Sequence, residues 1–356
     1  MTYRVLVTGG AGFIGGAVVR ALSGAGHDVR VLDSLRADVH RDGGESARRR
    51  LAGLDAQLLV ADVRDGDAVR DALTGVDAVV HLAAKVGLGV DIDDMDDYVS
   101  SNDLGTAVVL RAGAAAGVHR FVQASSMVVY GEGRYTCPDH GVVPPGPRLT
   151  VALDRGEFEP PCPVCGRPLT PGLVDEDSRL DPRNTYAATK VAQEHLAAAW
   201  VRETGGAAVS LRLHNVYGRG MPRDTPYAGV AALFLSRLDR GEPPRVFEDG
   251  GQRRDFVHVD DVAGAVVAAV RHTGAEHRTA EHLPLNVGSG VVSTIGDMAR
   301  ALAAARSGPE PVVTGEYRLG DVRHITASSA RIADRLGWRA GIPLAKGVAD
   351  LATPGT

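Results

Sequence analysis

The sequence predicts an α/β protein built on a doubly wound parallel sheet, and three observations carry that expectation. A short β-branched and apolar run, Arg4–Thr8, leads straight into Thr8-Gly-Gly-Ala-Gly-Phe-Ile-Gly15 and then an apolar-periodic helix ending at Leu22. The same rhythm, a short strand ending beside small or acidic residues, returns at 28–32, 57–61, 78–81 and 120–124. Further along, Tyr186-Ala-Ala-Thr-Lys190 sets a phenol and an ammonium four residues apart, one turn of a helix.

Length and composition bound the rest. At 356 residues the chain is long enough for a large core and two lobes. A formal charge of −5 argues against nucleic acid or an anionic membrane as the main partner. No basic segment followed by an apolar stretch opens the chain, and its longer apolar runs are broken by charge or glycine. A cytoplasmic protein is the expectation.

Taken in order, the elements point to a dinucleotide. Gly9, Gly12 and Gly15, with Phe13 and Ile14 between the last two, follow the G-x-x-G-x-x-G spacing. That spacing gives a tight turn, a close backbone approach to a pyrophosphate, and close packing of helix on strand. The second strand ends at Asp33, whose carboxylate can accept both ribose hydroxyls and would repel a 2′-phosphate. NAD is therefore expected rather than NADP. The third strand runs into Asp62 and Val63, the expected adenine contact. The fourth runs into Leu82, Ala83 and Ala84, and the fifth into Ser125 and Ser126. Both ends fall at the carboxyl edge of the sheet, where doubly wound folds bind ligands. A glycine triplet alone is a weak signal; strand, helix, strand and terminal acid together favour dinucleotide binding over a structural turn. Helix 103–116 and the helix carrying Tyr186 either form a four-helix bundle in a homodimer or cover the sheet of a monomer.

The chemistry follows from the pair. A positive charge near a phenol favours the phenolate, so Tyr186 reads as a base working well below its ordinary pKa of about 10. Beside a nicotinamide, such a base means hydride chemistry on an alcohol or ketone.

With these motifs on the page, the chain resembles the extended branch of the short-chain dehydrogenase/reductase superfamily, specifically its nucleotide-sugar epimerases and dehydratases. Matching segments span nearly the whole length: 8–15, 81–84, Ser125-Ser126-Met-Val-Val-Tyr-Gly131, 186–190, Arg212-Leu-His-Asn-Val-Tyr-Gly218, 254–262 and Asn286-Val-Gly-Ser-Gly290. The resemblance implies a Rossmann-type core with a smaller C-terminal substrate lobe. It implies Ser126 as the catalytic hydroxyl, Tyr186 as the base and Lys190 as its electrostatic partner, the last two also touching the cofactor. Asn102 would order the cofactor end of the site. Asn215, Arg254 and Arg323 would contact a nucleotide-diphosphate sugar, arginines suiting a diphosphate through their bidentate fork. Members that eliminate water across C5–C6 carry an acid pair after the catalytic hydroxyl; here Met127 and Val128 stand there, and neither transfers a proton. Decarboxylating members carry a glutamate there, also absent. Epimerisation remains, with a net ketoreductase or dehydrogenase and a non-catalytic NAD-binding regulator as rivals. The stretches 81–90, 98–107 and 313–324 are similar to bacterial dTDP-L-rhamnose 4-epimerases, and Lys85 within the first would point toward the nicotinamide or sugar.

Segment 132–180 departs from the compact family pattern. It is rich in proline and glycine and holds all three cysteines, as Cys137-Pro-Asp-His140-Gly and Cys162-Pro-Val-Cys165-Gly. Each half is a turn with two ligand residues followed by a glycine that tolerates a left-handed backbone. Cys137, His140, Cys162 and Cys165 make a complete tetrahedral set for a structural zinc. A disulfide would leave one cysteine unpaired, and a redox Cys-x-x-Cys would not explain the matching Cys-x-x-His. The insertion leaves just after Ser126 and returns just before Tyr186, so it is a lid, a pocket wall or a subunit contact. The expected organisation is a core at 1–131, the zinc-knuckle insertion at 132–180, the core again at 181–218, and a substrate lobe at 219–356 interleaved with the core near 254–272. In that lobe, 219–225 reads as a mobile substrate loop, 227–238 and 295–306 as helices, and 242–247 as the approach to a strand.

Overall fold

The computed structural model describes residues 2–40, 42–54, 56–87, 92–223, 229–274 and 280–353. Leu88, Gly89 and Val90 of the first epimerase-like stretch, and Asp224, Thr225 and Tyr227 of the expected loop and helix, lie outside those residues.

Seven strands form the central sheet: β1 Arg4–Thr8, β2 Asp28–Asp33, β3 Ala56–Val60, β4 Ala78–His81, β5 Arg120–Ser126, β6 Ala207–Leu213 and β7 His282–Val287. Their order is β3-β2-β1-β4-β5-β6-β7, every neighbouring pair parallel. The order reverses between β1 and β4, so the crevice at their carboxyl ends is the natural ligand site of this fold. Strand residues alternate between two buried layers, as a parallel sheet covered on both faces requires. Val5 and Val7 join the layer under α1 Phe13–Gly24 and α4 Val259–His272. Leu6 joins the opposite layer, with Phe121, Val109 of α2 Gly105–Ala115 and Trp200 of α3 Thr185–Thr204.

The sequence signals mark neither β6 nor β7 as a strand. They place 219–356 in the substrate lobe apart from 254–272, whereas His282–Val287 completes the main sheet beside β6. His81 pins the sheet's centre to α2: Nδ1 meets Thr8 Oγ1 at 2.7 Å and Nε2 meets Thr106 Oγ1 at 3.0 Å. Burial holds that imidazole neutral, its pKa lowered to about 3.

The smaller lobe holds a three-stranded sheet of Asn215–Tyr217, Arg253–His258 and Val292–Thr294, with Arg253–His258 in the middle. Beside it lie the pair Arg245–Val246 and Val312–Val313 and the helices Val230–Asp239 and Ile295–Ala305. The second helix begins with a capping box, Thr294 and Asp297 satisfying each other's backbone donors. The insertion forms its own three-stranded antiparallel sheet from Arg134–Cys137, Gly141–Val143 and Thr170–Gly172. Its core is five residues, Tyr135, Cys137, Val143, Cys162 and Leu169, two of them cysteines of the four-residue set.

The glycine turn tests this packing. A Cβ on Gly15 would lie 2.1 Å from Gly9 O and 2.7 Å from Gly10 Cα, backbone atoms that cannot step aside. A Cβ on Gly16 would meet only the Arg50 side chain, at 3.9 Å. Gly15→Ala should therefore destabilise by roughly 1–3 kcal/mol, as overpacking does. Gly16→Ala should be neutral or stabilising by roughly 0.5–1 kcal/mol through helix propensity. Urea denaturation of the two variants checks this, and equal midpoints would contradict it.

Candidate active site

The expected cofactor residues gather along the carboxyl edge of β1 to β4. Gly9 adopts φ +71°, and a Cβ there would lie 2.7 Å from Ala83 N, so the first turn must pass tightly under the β4 loop. Gly12 differs: a Cβ would meet only Gly9 O, at 3.3 Å, so the space over it is left clear by protein. Gly12 also begins α1 without any side-chain cap, leaving the helix N-terminus to an anion. Asp33 accepts hydrogen bonds from Ala11 N at 3.0 Å and Leu35 N at 2.9 Å, which fixes its carboxylate beside the turn. Asp62 is gripped by Arg64, and that pairing holds its carboxyl below the usual range. The Val63 side chain is buried against Gly105. These features fit an NAD molecule: an open, uncapped cradle for a pyrophosphate, and fixed acids at two strand ends.

Asn102 sits in a π-helical turn, Val99–Leu104, and spends its whole amide on protein. Oδ1 accepts from Lys85 N at 2.8 Å, while Nδ2 donates to Lys85 O at 3.0 Å and Thr189 Oγ1 at 2.9 Å. It therefore ties the Leu82–Lys85 loop to the helix bearing Tyr186.

Ser126 ends β5, and Tyr186 rises from the first turn of α3, which Asn184 caps through Ala187 N. The Ser126 hydroxyl favours the phenolate. The phenol's pKa still stands at about 12, because burial penalises the phenolate more than Ser126 favours it. The expected lowering is thus absent from the chain alone. Lys190 is nevertheless close by. Its Nζ lies 5.8 Å from the Tyr186 ring centroid and donates to Ala124 O at 2.9 Å. Burial lowers its own pKa to about 8, opposed by the carboxylates of Glu194 and Asp103.

A cleft of about 720 Å³ opens between this edge and the smaller lobe. Met127, Val128 and Asn184, chain neighbours of the catalytic candidates, are among its walls, as are Asn215 and Arg254. Asn215 Oδ1 is buried without a partner among the described residues. Arg254 donates only to carbonyl oxygens, those of Arg253, Val322 and Arg323, so its charge is uncompensated by any described carboxylate in contact.

Two expected substrate contacts lie elsewhere. Arg323 is outside the cleft, buried among Glu159, Glu248 and Asp249 at 2.7–2.9 Å, with every guanidinium nitrogen occupied. Lys85 is tied to Asp94 at 2.6 Å and Asp97 at 2.8 Å and is not among the residues lining the cleft. Arg318 does line the cleft, its guanidinium stacked 5.2 Å over the Phe247 ring and without a side-chain hydrogen bond or ion pair among the described residues. Sequence reasoning missed Arg318. It stands five residues before Arg323 in the same stretch, and spacing alone gave no reason to choose between them.

In the insertion, Cys137, His140, Cys162 and Cys165 converge, their donor atoms all within 4.8 Å of one another. Cys137 Sγ lies 3.6 Å from Cys165 Sγ and 3.4 Å from His140 Nδ1, and Cys162 Sγ lies 3.7 Å from His140 Nδ1. A tetrahedron with metal–sulfur bonds of about 2.3 Å and metal–nitrogen bonds of about 2.0–2.1 Å has edges of about 3.5–3.8 Å. Gly141 and Gly166, each just after a ligand turn, take φ of +66° and +73°. The donor set fits a tetrahedral metal.

Comparisons with known proteins agree with this geometry. The model of the NAD dependent epimerase/dehydratase family matches residues 5–150 and 163–288. The chain is 37% identical to a dTDP-L-rhamnose 4-epimerase of Burkholderia thailandensis, over 98% of this chain and 94% of that one. It is 31% identical to a UDP-glucose 4-epimerase of Mycolicibacterium smegmatis, over 97% and 96% of the two. Among solved structures, the UDP-glucose 4-epimerase of Thermus thermophilus in complex with NAD is similar at a TM-score of 0.76 and 29% identity, covering 98% of this chain and 97% of that one.

Proposed function

Because the chain belongs to the NAD dependent epimerase/dehydratase family, we propose that it is a nucleotide-sugar 4-epimerase using bound NAD, acting on dTDP-L-rhamnose or a related dTDP-6-deoxyhexose. The observation that carries the reaction type is the apolar pair Met127 and Val128, on the cleft wall directly after Ser126. A 4,6-dehydration needs acid–base groups there, whereas oxidation and reduction at one carbon need a single proton-transfer site. The choice of sugar is supported by the 37% identical relative, named as a dTDP-L-rhamnose 4-epimerase.

The pyrophosphate of NAD would sit on the turn Gly9 to Gly15, its ribose at Asp33, its adenine at Asp62 and Val63, and its inner half along Leu82, Ala83 and Ala84. When bound, NAD supplies a hydride acceptor for C4, a donor to either face of the 4-keto sugar, and an added positive charge. Tyr186 takes the C4 hydroxyl proton and later returns it. Ser126 holds the same oxygen, and the Lys190 ammonium favours the phenolate that must form. Arg254 and Arg318 offer two guanidinium forks to the diphosphate.

Purified protein given dTDP-L-rhamnose should form its C4 epimer without net consumption of added NADH. In Tyr186→Phe, turnover should fall by about two to four orders of magnitude while NAD stays bound, the usual worth of a placed acid–base group. Stoichiometric NAD(P)H oxidation would instead favour a reductase, and near-normal turnover in the variant would remove Tyr186 as the base.

We also infer that Cys137, His140, Cys162 and Cys165 hold one structural zinc per chain, since four protein ligands leave no position for a substrate or water. The insertion's own apolar core is only five residues, two of them ligand cysteines. Elemental analysis after purification without chelators should give one zinc per chain. Removing it should unfold the insertion and leave the main sheet standing. Metal-free protein with fully protected insertion amides would contradict this.

A further inference from the structure

The insertion grips one particular stretch of the smaller lobe, residues 317–328, at several points. Tyr317 OH donates to Asp154 at 2.6 Å, and Arg148 donates to Asp321 O at 2.6 Å. Glu159 accepts from Arg323 at 2.7 and 2.9 Å and meets His324 Nε2 at 2.8 Å. Val174 bonds Thr326 O and Ser328 N through its backbone, at 2.9 and 2.8 Å.

That stretch is also one wall of the cleft. Arg318, Asp321 and Val322 line it, and the carbonyls of Val322 and Arg323 hold the Arg254 guanidinium. A second path runs through His324. Its Nδ1 accepts from Arg253 N at 2.9 Å, so Nε2 carries the proton and donates to Glu159. Glu159 therefore reaches the backbone next to Arg254 from two directions.

The grip is also electrostatic. Arg148 and Arg323 are 5% and 2% exposed, and both pair with Glu248, itself 3% exposed, at 2.7 and 2.8 Å. Glu248 lies next to Phe247, on which Arg318 stacks. Charges this deeply buried are held in place by their partners, because removing one strands another. Glu159 stands three residues before Cys162, so the metal turn and the grip share a short piece of chain.

We propose that the insertion is a metal-locked clamp whose Arg148, Asp154 and Glu159 position the wall carrying Arg254 and Arg318, and so set affinity for a nucleoside diphosphate apart from the chemistry at Tyr186. The affinity half rests on the epimerase reading. The mechanical half does not. Glu159 and Arg148 are positioning residues, since neither contacts the reacting groups.

Hydrogen exchange on the whole chain without added sugar nucleotide tests the mechanical half. In Glu159→Ala, and separately in Tyr317→Phe, amides of 318–325 should exchange faster while zinc and NAD contents stay at the wild-type level. Chelating the metal from the wild-type protein should loosen the same amides along with 137–165. Glu159→Asp should restore most of the protection. Affinity for dTDP or UDP, measured by calorimetry, should fall roughly 2- to 30-fold in Glu159→Ala, the range such coupled networks carry. KM for the sugar nucleotide should rise with it, while kcat changes much less. Unchanged exchange at 318–325 in Glu159→Ala and after chelation would overturn the clamp. Loosened amides with wild-type nucleotide affinity would overturn its role in binding. If the wild-type chain binds neither nucleotide, the epimerase reading fails instead, and the exchange data still decide the clamp.

Discussion

A buried ammonium organises the chemistry of this molecule. Lys190 lies in the interior beside Tyr186, where desolvation brings its pKa to about 8, and it stays useful as a charge only if neighbours favour the protonated form. Ala124 O accepts its proton at 2.9 Å, and Glu194, one turn further along α3, favours its charge. Glu194 is fixed in turn. Arg212 of β6 donates to it twice, at 2.7 and 3.0 Å, and Ser125 of β5 donates at 2.5 Å. Arg212 also donates to Tyr130 OH at 2.8 Å, and that phenol donates to Asn286 Oδ1 of β7 at 2.6 Å. One charge under a tyrosine thus ties together three strands and a helix. Tyr130, Arg212 and Asn286 belong to this network and are not among the residues lining the cleft.

Two parts of the chain divide the work around that centre. The sheet edge brings together the glycine turn, Asp33, Ser126 and Tyr186 through backbone constraints: Gly9 runs under Ala83, and Gly15 lies against Gly9. Such contacts are rigid, which suits a site that must hold a cofactor and a proton donor in fixed relation. The smaller lobe and the insertion supply side chains instead, with Arg254 and Arg318 facing the cleft and a layer of buried ion pairs behind them.

Much of the core was legible because its signals are local. The glycine spacing, the acid ending β2 and the four-residue gap between Tyr186 and Lys190 are each set by a single turn of backbone, so sequence spacing and three-dimensional position coincide. The two ligand turns are of the same kind, and their glycines do take the left-handed conformation. What sequence could not supply is whether a charge is already spent. Arg323 and Arg318 look alike in sequence; only the fold brings Glu159, Glu248 and Asp249 around the first and leaves the second over Phe247. Lys85 was misread for the same reason, its partners Asp94 and Asp97 being supplied by a separate short helix. The Tyr186 phenol failed differently. Spacing gave the nearby cation correctly, but burial depth, which spacing does not report, raises the phenol's pKa.

The reading of the site as one that oxidises and re-reduces the same sugar carbon is tested most directly by the fate of the hydrogen at C4. dTDP-L-rhamnose carrying deuterium at C4, incubated with the protein in ordinary water, should give a C4 epimer that keeps the deuterium at C4. Deuterium lost to solvent at the rate of epimer formation would mean that C4 gives up a proton rather than a hydride, and would contradict the account.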